Sequence, residues 1–238
     1  MLHPRTAALL ARRLRETKVS AVLDFSELHA HQRKHVARLF LEALVECPRS
    51  LWDPALVVID ECQIFAPEKG HGESEALEAV ADLTTRGRKR GLCLVAATLR
   101  ISTLNKDVAA ELKNRLIGGT VQDLDVKRLA FDLGMTPKDA LEVLRNLDPG
   151  HFLAYGPALN QKTPRELVTG DVFTTHPEVG KRRLSAPPKP TPAIVALLPK
   201  LADLPKEAEA EARSMEDLKR ELAAARRELI QQLLCGTP

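Results

Sequence analysis

Short runs of consecutive apolar residues recur along the chain and predict β-strands. A strand of a parallel sheet is covered on both faces, so its residues are apolar without alternation. The predicted strands are Val19–Phe25, Leu56–Asp60, Leu92–Thr98 and Arg115–Val121, with a closing pair at His151–Tyr155 and Leu167–Thr174. Apolar residues at spacings of three and four predict helices between them. These are Pro4–Thr17, His31–Glu46, Glu73–Lys89, Asp107–Lys113, Asp123–Leu133 and Pro137–Leu147. The alternation indicates an α/β fold, with a mostly parallel sheet flanked by helices.

The composition changes near His176, and the chain divides into three predicted parts. Residues 1–175 form the α/β core, residues 176–192 a basic, Pro-rich linker, and residues 193–238 a helical tail. Within the tail, apolar residues at spacings of three and four form a heptad pattern. They are Met215, Leu218, Leu222, Ala225 and Leu229. The tail is therefore either a coiled-coil segment or an amphipathic helix that folds back on its own core.

Composition excludes several classes of protein. Hydrophobic residues make up 44% and charged residues 28% of the chain, which favours a packed core over disorder. Aromatic residues, at 3%, are too few for a platform on which single-stranded nucleic acid stacks. The four cysteines form no CxxC and no Cys/His pair at zinc spacing, so we expect reduced thiols in a cytoplasmic protein. No apolar run approaches the ~20 residues that a membrane-spanning helix needs.

Charged and polar residues follow two of the predicted strands. Asp60 and Glu61 end the first apolar run, and Thr98 and Arg100 lie at the end of the second. Ligands of parallel sheets bind outside the carboxyl ends of the strands. Two adjacent acids at such a strand end are typical of a nucleotide-hydrolysing site, although a strand that simply meets solvent could end in the same residues.

Five ordered segments carry a resemblance to a known family. They are VVIDECQIFAPEKG, LTTRGRKRGLCLVAATLRIS, LNKDVAAELKNRLIGGT, LDPGHFLAYGPAL and VFTTHPEVG. Together they resemble the HerA/FtsK-type P-loop ATPases, in particular the HerA-like bacterial ATP-binding proteins and helicases, over roughly residues 19–180. The resemblance implies a RecA-like core that binds ATP and Mg²⁺.

The resemblance also implies a role for five residues. Asp60 would be the Mg²⁺ carboxylate, and Glu61 the catalytic carboxylate that also contacts the nucleotide. Arg86 would be an arginine finger on the nucleotide of a neighbouring subunit, and Thr98 and Arg100 would be sensors of the γ-phosphate. The family further implies a hexameric ring that acts on DNA, with a nuclease or another partner bound through the C-terminal helix.

Two departures from the family pattern bear on activity. No GxxxxGK[ST] phosphate loop occurs in the sequence, and Gly180-Lys181 is its one Gly-Lys pair. In the family, the strand that leads to this loop precedes the strand matching Val19–Phe25. We therefore expect a core that lacks its first strand, from a truncated reading frame or a split protein, and no ATP turnover by this chain alone. In addition, Leu99 stands where relatives commonly carry Gln, and leucine cannot hydrogen-bond a phosphate.

Two other interpretations remain open at this point. The chain could be a degenerate, non-catalytic ATPase remnant that acts in oligomerisation or in DNA interaction. It could also be a simple basic nucleic-acid-binding domain, since Arg86-Gly87-Arg88-Lys89-Arg90 is strongly cationic although the net charge is only +3.

Overall fold

The computed structural model describes residues 4–170, 195, 198–199 and 202–235. The helices within them are α1 (Pro4–Thr17), α2 (Ala30–Val45), α3 (Leu77–Arg86), α4 (Lys106–Glu111), α5 (Asp123–Leu133), α6 (Pro137–Arg145) and α7 (Leu204–Cys235). The strands are β1 (Ala55–Ile59), β2 (Leu92–Ala96), β3 (Arg115–Ile117), β4 (His151–Gly156) and β5 (Gln161–Val168). The protein is therefore a mixed α/β structure, as the alternating pattern predicts.

Strands β1 and β2 form a parallel pair that organises the first half of the chain. Their register runs from Ala55 opposite Leu92 to Ile59 opposite Ala96. Helix α3 connects them, and α1, α2 and α3 supply the apolar residues that pack on one face of the pair. The two strands thus have one well-covered face, in the centre of the larger core.

The opposite face of this pair is open. Leu56 and Val58 on β1 are 64% and 62% exposed, and Val95 on β2 is 45% exposed. Cys93, which lies opposite Leu56, is exposed as well. The expectation of a sheet covered on both faces is therefore wrong for the described residues, because their helices cover one face and leave the apolar side chains of the other in solvent. This open face is defined here by Leu56, Val58, Cys93 and Val95.

The predicted first strand, Val19–Phe25, is also wrong. The segment has no strand conformation, and Val22 is 96% exposed. An apolar run forms a strand only where another strand offers backbone hydrogen bonds, and no described strand pairs with this one. Phe25 still reaches the core, where its ring meets that of Phe65 edge-on at 6.1 Å.

The remaining strands form a second, antiparallel sheet in the order β3–β4–β5. Helices α5 and α6 pack against it and build a second apolar cluster around Leu129, Ala140 and Leu144. Parallel pairing is therefore the minority among the described strands, contrary to the prediction. Strand β3 ends at Ile117, not Val121 as predicted. A glycine pair follows it, and a Cβ at Gly119 would lie 3.2 Å from the carbonyl oxygen of Leu144.

Helix α3 is shorter than predicted and gives way to a tight basic turn. The helix ends at Arg86, and a 3-10 turn spans Gly87–Arg90. Gly91 closes this turn with a φ of +75°, and a Cβ there would lie 2.6 Å from the carbonyl oxygen of Asp53. Only glycine allows the chain to pass this close before β2 begins.

Helix α7 lies in the predicted helical tail and is docked at its beginning. Leu204 and Ala208 are each 5% exposed, and Arg13 of α1 donates to both carboxylate oxygens of Glu207 at 2.9 Å. The predicted linker, residues 176–192, lies outside the described residues. None of the helices that the structure describes is long and apolar enough to cross a membrane.

Candidate functional site

The parallel register of β1 and β2 brings the predicted acids and polar groups to one edge. Ala97 donates a backbone hydrogen bond to the Ile59 carbonyl at 2.9 Å, and Cys62 donates one to the Ala97 carbonyl at 2.9 Å. These bonds continue the ladder past both strand ends. As a result, Asp60 and Glu61 lie beside the segment that carries Thr98.

A chain of side-chain hydrogen bonds joins Glu61 to Thr98. The Thr98 hydroxyl donates to Gln63 Oε1 at 2.6 Å, and the amide nitrogen of Gln63 donates to Glu61 Oε2. Sequence reasoning missed Gln63. Gln63 lies two residues after Glu61 in the DECQ run. The 3-10 turn Cys62–Ile64 follows Glu61 directly and returns Gln63 to the strand edge. This spacing was the signal in the sequence that could have identified Gln63.

The backbone at Glu61 adopts a left-handed conformation, with φ 49° and ψ 45°. For a residue with a side chain this costs roughly 1–2 kcal/mol. Such conformations cluster at active sites and ligand clamps. Here the turn is held by the Glu61 amide, which donates to Asp60 Oδ1 at 3.0 Å. The backbone thus turns sharply at Glu61, directly after β1.

The acid pair lies over an apolar floor. Asp60 is exposed and Glu61 half-buried, whereas Cys62, Phe65 and Ala66 behind them are buried. Burial raises the pKa of the Cys62 thiol to about 12. This cysteine is therefore a neutral packing residue and not a nucleophile at ordinary pH.

Arg100 lies on the same edge as the acids, two residues beyond Thr98. Its backbone amide donates to the Thr98 hydroxyl at 3.1 Å, and its side chain is exposed. Leu99, between the two, is 82% exposed. The edge therefore presents an exposed apolar side chain between Thr98 and Arg100.

Arg86 is not brought to this edge. It lies at the end of α3, next to the amino end of β2, and its guanidinium is paired with Asp82 one turn earlier at 2.6 Å. A five-residue strand spans about 17 Å, so the β1–β2 pair separates Arg86 from Asp60. Among the predicted site residues, the structure thus groups Asp60, Glu61, Thr98 and Arg100, and leaves Arg86 at the opposite edge.

The basic turn after Arg86 belongs to that opposite edge. Arg88 and Lys89 are exposed, whereas Arg90 donates to the Val45 carbonyl and places its guanidinium 5.3 Å from the Trp52 ring centroid. Arg90 is therefore partly structural. Arg88 and Lys89 leave two cations for an anionic partner.

The carboxylates fit a Mg²⁺ site only in part. Magnesium is usually bound by one or two protein carboxylates together with waters and substrate phosphates, and Asp60 with Glu61 could supply the carboxylates. Among the described residues no group of three or more His, Cys, Asp or Glu side chains could hold a metal by itself. No GxxxxGK[ST] loop is present in the sequence to cradle the phosphates. The residues present fit the metal end of a nucleotide site and not its phosphate cradle.

Comparison with known proteins gives a partial likeness. No protein-family model matches the chain. Over 106 residues the chain is 27% identical to the DNA double-strand break repair helicase HerA of Pyrococcus furiosus, in an alignment that covers 44% of this chain and 19% of HerA. The chain thus spans about a fifth of the length of this relative. The local similarity supports the resemblance to HerA/FtsK-type ATPases.

Among solved structures, the genome packaging NTPase B204 of Sulfolobus turreted icosahedral virus 2 is similar in part. Its complex with sulfate gives a TM-score of 0.44 at 18% identity, over 56% of this chain and 60% of that one. Its complex with ATP-gammaS gives a TM-score of 0.41 at 18% identity, over 63% of this chain and 66% of that one.

Proposed function

We propose that this chain is the ATPase-core portion of a HerA-like DNA translocase or helicase, in which ATP binding and hydrolysis drive DNA movement. The observation that carries the proposal is the strained acid pair at the carboxyl edge of β1, tied through Gln63 to Thr98 on the neighbouring segment. The local identity with HerA supports it.

The roles follow from the position of each side chain. Asp60 is exposed and would ligate Mg²⁺, while Glu61 would orient the attacking water. Gln63 holds Glu61 and Thr98 in a fixed relation, so a change at Thr98 would be transmitted to the catalytic carboxylate. When bound, Mg²⁺-ATP supplies the scissile phosphoanhydride bond and the cation that neutralises its charge. Arg100, whose side chain is exposed, would point at the bound phosphates.

Two requirements of this proposal lie outside the chain. The phosphates must be cradled by residues beyond this sequence, because it contains no phosphate loop. Arg86 must act on the site of a neighbouring copy, because its own acid pair lies at the other end of the strands. We therefore propose a homo-oligomer, a hexameric ring around DNA, in which positive loops contact the phosphates of the nucleic acid. We also propose that a nuclease or another protein binds this assembly.

A second candidate function is a non-catalytic module for oligomerisation or DNA interaction. The 82% exposed Leu99 at the site edge favours it, since this side chain can bond neither water nor phosphate. The hydrogen bonds that join Glu61 through Gln63 to Thr98 argue against it, together with the left-handed conformation of Glu61, because such conformations cluster at active sites and ligand clamps.

Nucleotide binding and phosphate release by the purified chain, with and without Mg²⁺ and duplex DNA, test the proposal. We expect no turnover by the chain alone, and weak nucleotide binding that depends on Mg²⁺ and disappears in Asp60→Asn. Asp123→Asn, which removes an equal charge from an exposed position on α5, should bind like the parent chain. Robust turnover would contradict the missing phosphate cradle, and salt-sensitive DNA binding without any nucleotide binding would favour the non-catalytic module.

A further inference from the structure

Helix α7 leaves the protein surface after its first turns. Leu204 and Ala208 are buried against α1, but every later residue of α7 whose side chain the structure describes is exposed. At 1.5 Å per residue, the stretch from Ala208 to Cys235 extends about 40 Å from the docked end. Among the described residues, the core of the chain therefore covers the beginning of α7 and leaves the later described side chains exposed.

The exposed part of α7 carries an apolar stripe. Met215 is 56% and Leu222 54% exposed, and the sequence repeats apolar residues from 215 to 229 at alternating spacings of three and four. In a heptad, Met215, Leu222 and Leu229 take the a positions and Leu218 and Ala225 the d positions. A stripe of this kind is stable in water when a second helix covers it.

The charged residues beside the apolar stripe indicate which helix covers it. Along the seam the g positions carry Ser214, Glu221 and Glu228, and the e positions carry Lys219 and Arg226. In a parallel two-stranded coiled coil each g residue faces the e residue of the partner's next heptad. Glu221 would then face Arg226 of a second copy, in both directions. An antiparallel pair would bring glutamates against glutamates and cations against cations.

We propose that α7 pairs with α7 of a second copy of this chain as a parallel, two-stranded coiled coil, with the seam running from Met215 to Leu229. The sequence sets the limits of the seam, because the next d positions on either side are the polar Glu211 and Gln232. With about two heptads, the pairing depends on protein concentration. It requires neither nucleotide nor DNA and is independent of the proposed ATPase function.

Sedimentation velocity of the full chain over a range of concentrations tests the pairing. In the absence of nucleotide and DNA, the conditions under which the proposed ring around DNA is not assembled, we expect the mass to rise from 26.2 kDa towards twice that value. Leu222→Glu, in the middle of the seam, should abolish this step, and its far-UV circular dichroism should show an intact fold because Leu222 is exposed in the single chain. Ala223→Glu adds the same charge on the outer face of the helix and should behave like the parent chain. A parent chain that is monomeric throughout, or an assembly that Leu222→Glu leaves unchanged, would overturn the proposal.

A cysteine crosslink tests the orientation. Met215→Cys is introduced into a chain that also carries Cys93→Ser and Cys235→Ser, and the protein is mildly oxidised. A parallel pair places the two new thiols in one layer, so we expect a disulfide-linked dimer that dithiothreitol reverses. An antiparallel pair would place each thiol near position 229 of the other helix, about 21 Å from its counterpart. A dimer that forms no disulfide would refute the parallel arrangement.

Discussion

Two leucines on opposite faces of the β1–β2 pair should respond very differently to truncation. Leu92 on β2 is 4% exposed and belongs to the core, whereas Leu56 on β1 is 64% exposed on the open face. Leu92→Ala should therefore destabilise the chain by about 3 kcal/mol, within the range of about 2–5 kcal/mol for buried leucines. Leu56→Ala removes three carbon groups, whose full burial would stabilise the fold by roughly 2.4 kcal/mol. Only about a third of Leu56 is buried, so the expected loss is about 0.9 kcal/mol.

Urea denaturation followed by far-UV circular dichroism measures both losses under the same conditions. With a slope of about 2 kcal/mol per molar urea, the midpoint should fall by about 1.5 M for Leu92→Ala and about 0.4 M for Leu56→Ala. Leu56→Lys should fold as well as Leu56→Ala and be more soluble, because it places a charge on an exposed apolar patch. Equal losses at the two leucines would show that the open face is covered in solution, and the reasoning about it would fail.

Two further predictions use matched positions elsewhere in the chain. Gly91→Ala should lower the free energy of unfolding clearly more than Gly70→Ala in the same urea assay. Both glycines have positive φ, but a Cβ at Gly91 would lie 2.6 Å from a backbone carbonyl oxygen, whereas one at Gly70 meets nothing within 4 Å. Equal losses would refute the steric part of the argument. Iodoacetamide at pH 8 should label the exposed Cys93 and leave Cys62 unmodified until the chain unfolds, since burial raises the pKa of Cys62 to about 12. Because this folded pKa lies above 9.0, the ordinary pKa of a cysteine thiol, the stability linked to Cys62 is present below pH 9 and is lost as the pH rises towards 12. Labelling of native Cys62 at pH 8 would contradict the burial of its thiol.

Local patterns were sufficient to predict most elements and the shared edge on which Asp60 and Thr98 lie. The helices α1, α2, α5 and α6 lie within two residues of their predicted bounds, since apolar periodicity and caps are written in neighbouring residues. The shared edge of Asp60 and Thr98 also followed from sequence, because two consecutive apolar strands joined by one helix are parallel and end at the same edge.

The errors concern long-range pairing. The sequence of Val19–Phe25 reads as a buried strand, but a strand exists only with a partner, and the identity of the partner is not a local property. The same holds for β3, which reads as another parallel strand and instead pairs antiparallel to β4. Gln63 was missed for a related reason, since its contact with Thr98 depends on a turn that folds it back across the strand ends.

The acid pair and Arg86 lie at opposite edges of the β1–β2 pair, and this separation constrains any catalytic use of Arg86. The carboxyl edge holds Asp60 and Glu61, and the amino edge holds Arg86 with its basic turn, about one strand length away. The ion pair of Arg86 with Asp82 joins side chains that are 50% and 47% exposed, and pairs this exposed typically contribute less than about 1 kcal/mol. Asp82 is thus a weak tether, and breaking its ion pair with Arg86 would cost little. An arginine finger at this position therefore requires that the amino edge of one copy meet the carboxyl edge of the next, which is a head-to-tail contact and the kind from which rings are built.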